Sequence, residues 1–561
     1  MNIFDTFSNN APNKVFFSII SGASAGIAYA LLIPTLITSL DNGSGELAIK
    51  EEEVTSFLWF EVADFKIAAF FLFTCLFILV ARTYSQVTLL RVSMDVTAQL
   101  RIKLYERISG TSIDNLERVG SPKLIANITT DVGRIVDGGR VLPDFIMNIA
   151  TLLGLLCSLA LLNPDVFWFV LKTIAFGVIT YQLPILLGDR YLGQARESID
   201  HLHESIRALI YGSKELKLDQ NKRKTFFDSV LVENEMSVLR SEKKGHSVIS
   251  AATSYGDLIC FFVIGVVAFV LTNYQTISQA ELVSVIMVLL YITTPVAVII
   301  DFVPAVMQAK ISLNKINNLF KELPEEPISL EVMELPEWNA IEYENVTYQH
   351  KSKQEQSGFT VGPASFVIKK GEITFIVGGN GSGKSTLSKI ITLHYPAHTG
   401  TINFGSLQVS PETLTSCRLC ISAIFSDYYL FDRLLGIIDK EQVENVEQYL
   451  KDLDLIDKVT VDNGQFSTTS LSDGQRRRLA LLVAYLDDKD VYVFDEWAAD
   501  QDPEFKDIFY LRILPELKKR NKAVVVISHD DRFFEVADQI LVMEDGQLTR
   551  TSRTKDCSQV A

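Results

Sequence analysis

Between an apolar stretch ending in Phe375-Ile376-Val377 and a helix-like stretch beginning Thr386-Leu387 lies the octet Gly378, Gly379, Asn380, Gly381, Ser382, Gly383, Lys384 and Ser385. Its glycines let backbone N–H groups approach and wrap phosphate oxygens. The lysine neutralises charge on the β and γ phosphates, and the serine hydroxyl is a ligand for Mg²⁺. This spacing predicts a site for a nucleoside triphosphate with Mg²⁺, held by residues 378–385 with Thr386 beside them.

Two other polar clusters follow strand-like runs. Val491–Phe494 ends in Asp495 and Glu496, and Ala523–Ile527 ends in Ser528 and His529. Strand ends of this kind gather polar groups at the carboxyl edge of a parallel sheet, where ligands bind. Asp495 is suited to holding Mg²⁺ and Glu496 to orienting or deprotonating an attacking water, while His529 is placed to contact a γ-phosphate. Leu471–Gln475, LSDGQ, opens a helix continuing RRRLALLVAYL, and Ser472 or Asp473 is suited to cap it.

The elements that must position these residues fall into two halves. The chain has 561 residues, 48% of them apolar, with mean hydropathy +0.21. The apolar excess lies upstream of about residue 305, in six runs near 15–40, 57–80, 141–162, 165–187, 255–272 and 282–303. At 1.5 Å per residue even the shortest reaches about 27 Å, enough for a hydrocarbon core. Residues 82–140 and 188–254 are rich in Arg and Lys and read as inner loops, whereas 41–56 is acidic and 273–280 lacks both. Both termini are then cytoplasmic. The first apolar run is too long for a cleavable signal and reads as a retained span.

The inner loops read as helix. Leu100, Leu104 and Ile108, then Leu124, Ile128 and Ile135, recur at helical spacing. Short pieces at Ile113–Leu116 and Ile206–Tyr211 are placed to dock on the nucleotide-binding half. A polar, proline-containing stretch then marks a linker, and short strands alternate with helices beyond it. The expected architecture is an α-helical six-span membrane domain over 1–322, a linker over 323–338 and an α/β P-loop domain over 339–561.

The net charge of −16 implies no nucleic-acid partner, because the basic residues cluster in the inner loops. The six cysteines form no disulfide framework, and Cys417 with Cys420 is a lone CxxC without the second pair a zinc site needs.

In the order phosphate loop, LSDGQ, VYVFDE and SHD, these motifs resemble the ATP-binding cassette (ABC) proteins over about residues 339–550, and the six preceding spans resemble the exporter type. The resemblance implies a homodimer of half-transporters whose two cassettes sandwich two ATPs. Ser472, Gly474 and Gln475 of one copy would face the phosphate loop of the other, and Asp502 would reach across between the sites. It also implies His350 as the ring that stacks on adenine, with Tyr348 the other choice. Ser426 stands where a metal-contacting glutamine is usual, so it becomes a candidate Mg²⁺ ligand. Asp473 replaces a glycine.

After Glu496 the run WAADQDPEF replaces one resembling ATSALD. With SHDDRFF and FSDYYLF it resembles bacterial exporters of cyclic peptides and peptide siderophores, of the syringomycin and pyoverdine type. Export of a peptide-like compound across the bacterial inner membrane is the expectation, with a lipid flippase or an ATP-gated regulator as alternatives. No peptidase domain precedes the first span, which argues against a leader-cleaving exporter. Charged residues in or near spans, Asp64, Lys66, Lys172, Asp257 and Asp301, are candidates for the pathway, and costly enough there to need a reason. Pro295 is a candidate bend. No motif identifies a periplasmic partner.

Overall fold

The computed structural model describes residues 11–41, 54–57, 60–63, 65–270, 273, 279–329, 331–350, 358–436 and 440–553. The chain divides into two compact units, Met1–Tyr105 with Pro122–Lys321, and Glu106–Ser121 with Glu322–Ala561.

Long apolar helices dominate the first unit. Helix α1 (Pro12–Asp41) is followed by a hairpin of β1 (Val54–Phe57) and β2 (Phe60–Ala63), then by α2 (Phe65–Ser109) and the short α3 (Ile113–Val119), which belongs to the second unit. Next come α4 (Leu142–Leu162), α5 (Pro164–Tyr211), α6 (Val232–Phe269) and α7 (Gln279–Glu322). Among the described residues, six helical stretches are long and apolar enough to cross a membrane: Pro12–Leu36, Phe65–Ser109, Ser121–Leu162, Pro164–Ala195, Gln220–Phe269 and Glu281–Glu322. Helix α2 has 45 residues and α5 has 48, about twice the length a hydrocarbon core requires, so both continue as helix into the Arg- and Lys-rich stretches, as expected.

Two local expectations are corrected. The second span begins at Phe65, not 57, because Val54–Phe57 pairs antiparallel with Phe60–Ala63, two short runs rich in β-branched and aromatic residues. The piece at 206–211 is the end of α5. Nothing in it breaks a helix until Gly212, and the separate short helix is Ser213–Leu218. Asp64 lies outside the described residues.

Packing within this unit uses small residues and paired hydroxyls, as apolar helices need where lipid offers no hydrophobic drive. Ser18 Oγ donates to Ser85 O and Ser85 Oγ donates to Ser18 O, both at 2.8 Å, joining α1 to α2. Thr151 Oγ1 donates to Gly26 O at 3.2 Å, joining α4 to α1. A Cβ on Gly26 would stand 2.3 Å from Met147 O, so only glycine permits this approach. On the outward faces Phe73 is 67% and Val80 68% exposed, side chains suited to contact lipid tails.

The second unit is built on two sheets. An antiparallel sheet holds β3 (Ala340–Gln349), β4 (Thr360–Lys369), β6 (Thr399–Phe404) and β7 (Leu407–Gln408) in the order β4-β3-β6-β7. The larger sheet takes β5 (Ile373–Gly378), β8 (Ile421–Ile424), β9 (Val491–Asp495), β10 (Ala523–Ile527), β11 (Gln539–Glu544) and β12 (Gln547–Arg553) in the order β12-β11-β5-β10-β9-β8. All pairings but β11 with β12 are parallel. Every residue of β9 and β10 is buried, which explains their continuous apolar runs. Helix α8 (Lys384–Ile391) leaves the end of β5, and α9 (Asp473–Asp487) precedes β9. The segment between the halves is tied down: Arg418 forms a bidentate pair with Glu326 at 2.8 and 2.6 Å, and Trp338 is buried beneath Lys370.

Replacing Gly26 by Val is expected to destabilise the membrane unit by about 1–3 kcal/mol through overpacking. Thermal unfolding of the protein in nanodiscs would show it as a lowered midpoint. Gly133→Ala, where a Cβ meets nothing within 4 Å, should not lower it.

Candidate nucleotide-binding site

Parallel pairing of β5, β10 and β9 brings three predicted clusters to one sheet edge, since Ile376 is in register with Ile527 and Ile527 with Asp495. The phosphate loop leaves β5 at Gly378, where a Cβ would collide with Met543 O at 2.2 Å. It turns into α8 through Gly383, whose φ of +99° favours glycine. The amides at the start of α8 and the helix dipole then face an incoming anion. Lys384 is buried, and its ammonium donates to Gly378 O at 3.0 Å and Gly379 O at 2.9 Å, closing over the loop. Burial lowers its pKa, against the opposing pull of Glu496 and Asp495. Ser382 Oγ is buried and finds no hydrogen-bond partner among the described residues, and Ser385 is exposed.

Across the cleft, Asp495 is 2% exposed and its Oδ1 also has no partner among the described residues. A buried carboxylate oxygen without a donor is the chemistry expected of a group that meets a cation, so Asp495 with the Ser385 hydroxyl fits Mg²⁺. Burial, with Glu496 and Asp427 adding to it, pushes the Asp495 carboxyl up to about 6. His529 Nε2 lies 3.2 Å from Glu496 Oε1, so the two predicted catalytic residues touch directly. Both are partly exposed, as groups that must meet water and substrate need to be. Ser426 is exposed in the turn after β8.

The two aromatic candidates have separate fates. Tyr348 is 1% exposed, stacked on Tyr395 at 4.5 Å and on His398 at 5.0 Å, and its hydroxyl donates to Asp114 Oδ1 of α3 at 2.6 Å. Its ring is not available to a nucleotide. His350 sits at the rim, 3.0 Å from Thr386 Oγ1 just past the phosphate loop. Phe359, which sequence reasoning missed, is 43% exposed and its ring lies 6.4 Å from that of His350. Phe359 immediately precedes β4 as His350 immediately follows β3, and His350 N donates to Phe359 O at 2.9 Å, a pairing that only the sheet register reveals.

The LSDGQ residues lie at the opening of α9. Ser472 Oγ accepts from Gln475 N at 3.3 Å while Gln475 Oε1 accepts from Ser472 N at 3.2 Å, a capping box. Asp473 is exposed and paired with Arg476 one turn on, so its charge is locally balanced. Asp502 caps the helix Pro503–Ile508 through Phe505 N at 2.8 Å and pairs with Arg478 at 2.5 Å.

Residues 361–499 match the family model for ABC transporters. ATP-binding protein SyrD of Pseudomonas syringae pv. syringae is 34% identical over 467 residues, 81% of this chain and 82% of that protein. The chain belongs to the ABC transporter family. An ATP-dependent lipid A-core flippase of Legionella pneumophila (strain Paris) is 23% identical over 481 residues, 82% of this chain and 79% of the flippase. The solved structure of a bacterial Atm1-family ABC exporter with ATP bound superposes with a TM-score of 0.73 at 15% identity, covering 98% of this chain and 96% of that one. This ABC transporter therefore has the exporter fold, one membrane half and one cassette per chain, and its ATPase is coupled to transport.

Helix α3 docks on the cassette as the sequence suggested for Ile113–Leu116. Besides the Asp114–Tyr348 bond, Glu117 pairs with Lys389 of α8 at 2.6 Å and accepts from the Tyr395 hydroxyl. The helix that begins with Lys384 and Ser385 is thus tied to α3, which follows directly on α2. The CxxC is part of the core: Cys417 is fully buried, and burial pushes its thiol up to about 11.

The Asp495 carboxyl has a higher pKa in the folded, metal-free cassette than in the unfolded chain. Its stabilising contribution is therefore full below about pH 4 and lost as pH rises through 6, where the ionised group needs a cation. Protons compete with Mg²⁺ on the acid side. The Mg²⁺ concentration for half-maximal ATP hydrolysis is expected to rise about tenfold from pH 7 to pH 5; a flat requirement over that range would remove Asp495 from the metal site.

Proposed function

We propose that two copies of this chain clamp two ATP·Mg²⁺ between their cassettes and use that clamp to export a peptide-like amphipathic compound across the bacterial inner membrane. The observation that carries the ATP chemistry is the meeting of Lys384, Asp495 and the Glu496–His529 pair at one sheet edge. In this reading Gly378–Thr386 wrap the phosphates and His350, with Phe359 near it, takes the adenine ring. Glu496 orients the attacking water, and His529 steadies Glu496 and reaches the γ-phosphate. Mg²⁺ on Ser385 and Asp495, with Ser426 as a further ligand, would neutralise charge on the β and γ oxygens. Ser472, Gly474 and Gln475 would present the N-terminus of α9 to the nucleotide of the partner, and Asp502 would lie between the two sites.

The functional modules follow the division proposed from sequence: membrane domain 1–322, linker 323–338 and cassette 339–561. Both termini are placed in the cytoplasm, where ATP is. Hydrolysis removes the charge arrangement that bridges the cassettes, and the helical extensions carry the resulting separation to the spans.

The peptide-like substrate is supported by the WAADQDPEF, SHDDRFF and FSDYYLF segments and by the similarity to SyrD over most of the chain. The membrane unit also holds a cavity of about 140 Å³ lined by Val170, Thr173, Gly177, Ile259, Leu289 and Asp301, mostly apolar with one carboxylate. Such a lining suits an amphipathic ligand. A lipid substrate is the second reading, favoured by flippase relatives of comparable coverage.

Glu496→Gln is expected to keep ATP affinity while turnover falls at least about a hundredfold and cassettes become trapped as pairs. ATPase rate and light scattering in detergent would check both, and an unchanged rate would remove Glu496 from the water. In nanodiscs, cyclic peptides and peptide siderophores should stimulate hydrolysis; stimulation by lipid A alone would favour the flippase reading.

A further inference from the structure

Glu496 has φ of +50°, the left-handed region that long side chains seldom enter. Strain of this kind persists only where surrounding contacts over-determine it. Here the contacts come from the second turn of α9. Arg477, 9% exposed, donates through one terminal nitrogen to Glu496 O and to Trp497 O, the latter at 3.1 Å, and through the other to Asp500 Oδ2 at 2.6 Å. Trp497 returns the contact: its Nε1 donates to Arg477 O at 3.0 Å, and its ring is stacked on Phe509 at 4.4 Å. The guanidinium therefore caps the sharp turn that follows β9, and the indole pins that turn to the backbone of α9.

The same wiring continues toward the LSDGQ end of the helix. Gln501 Nε2 donates to Gly474 O at 3.0 Å, and Arg478 Nε donates to Gln501 Oε1 at 3.0 Å. A Cβ on Gly474 would come within 3.1 Å of Asp500 O, so this turn and the first turn of α9 are in close contact. Glu496, Trp497, Asp500, Gln501 and Asp502 are thus each bound to α9, while at the other side the Glu496 carboxylate meets His529.

Backbone conformation decides where a side chain at a strand end points. Were Glu496 to relax to negative φ, its carboxylate would leave the position next to His529 and the β5 edge. We propose that Arg477 is a positioning residue that holds Glu496 in its left-handed conformation, so that the stance of the water-orienting carboxylate depends on the helix carrying LSDGQ. Under the dimer reading, on which this part rests, the N-terminus of that helix meets the partner's nucleotide. Arg477 then links occupancy of one ATP site to water activation in the other.

The test uses full-length protein in nanodiscs with Mg²⁺ and ATP. Arg477→Met should lower kcat about tenfold to a hundredfold while KM for ATP stays within about twofold, the range expected when a reacting group is misplaced by about 1 Å. Arg477→Lys, whose ammonium can still reach one carbonyl, should recover part of that kcat. Trp497→Phe keeps the stacking on Phe509 and removes only the N–H bond to α9; it should lower kcat by a smaller factor and reduce the cooperativity of hydrolysis in ATP. Wild-type kcat in Arg477→Met overturns the proposal, as does a fall in kcat matched by lost ATP binding, which would mark a purely structural role. If Arg477→Met does not fold, Trp497→Phe decides, and unchanged kcat and cooperativity there overturn the proposal. Failure of the underlying reading shows separately, as hydrolysis that survives Glu496→Gln or as a lone subunit under turnover conditions.

Discussion

Parallel pairing of β5, β10 and β9 is the constraint on which the rest of the cassette depends. It puts the carboxyl ends of three buried strands at one edge, in register, so that a glycine loop, an acidic pair and a histidine become neighbours although they come from positions 378, 495 and 529. Burial of those strands on both faces demands continuous apolar runs, and it makes the first polar residue beyond each run conspicuous. Asp495 is buried at such a boundary, which explains both its raised pKa and the lack of a donor to its Oδ1 among the described residues.

Charge organises what the sheet brings together. Lys384 and Asp495 carry opposite charges at this edge beside Glu496, and burial perturbs both the lysine and the aspartate. Around it runs a ring of positioning contacts. The α9 arginines hold the turn after β9, and α3 holds the helix that follows the phosphate loop. The Glu117–Lys389 and Asp114–Tyr348 bonds are direct ties from α3 to α8 and to β3.

The membrane unit solves a different problem. With apolar surroundings its helices gain nothing by hiding apolar side chains, so Phe73 and Val80 stay outward, and cohesion comes from close backbone approach at Gly26 and from the reciprocal Ser18–Ser85 bonds. Covalent continuity from α2 to α3 means that a displacement of α3 on the cassette is also a displacement of the end of a 45-residue helix.

The amino-acid sequence by itself determined the six spans, the nucleotide-binding loop and the strand-end residues Asp495, Glu496 and His529. Each is signalled by a contiguous pattern: sustained hydropathy, glycine at positions of close approach, or a polar residue ending a buried run. Such signals break down where two patterns compete locally, as at Val54–Ala63, where apolar residues serve a hairpin, and at 206–211, where an amphipathic stretch continues α5. Only the tertiary structure decided that the Tyr348 ring is buried, with its hydroxyl bonded to Asp114, 234 residues away in sequence. The same holds for Arg477, which looks like one basic residue among three until the fold sets it against the Glu496 carbonyl. Long-range partners are chosen by packing of distant segments, and nothing in the residues flanking either partner encodes that choice.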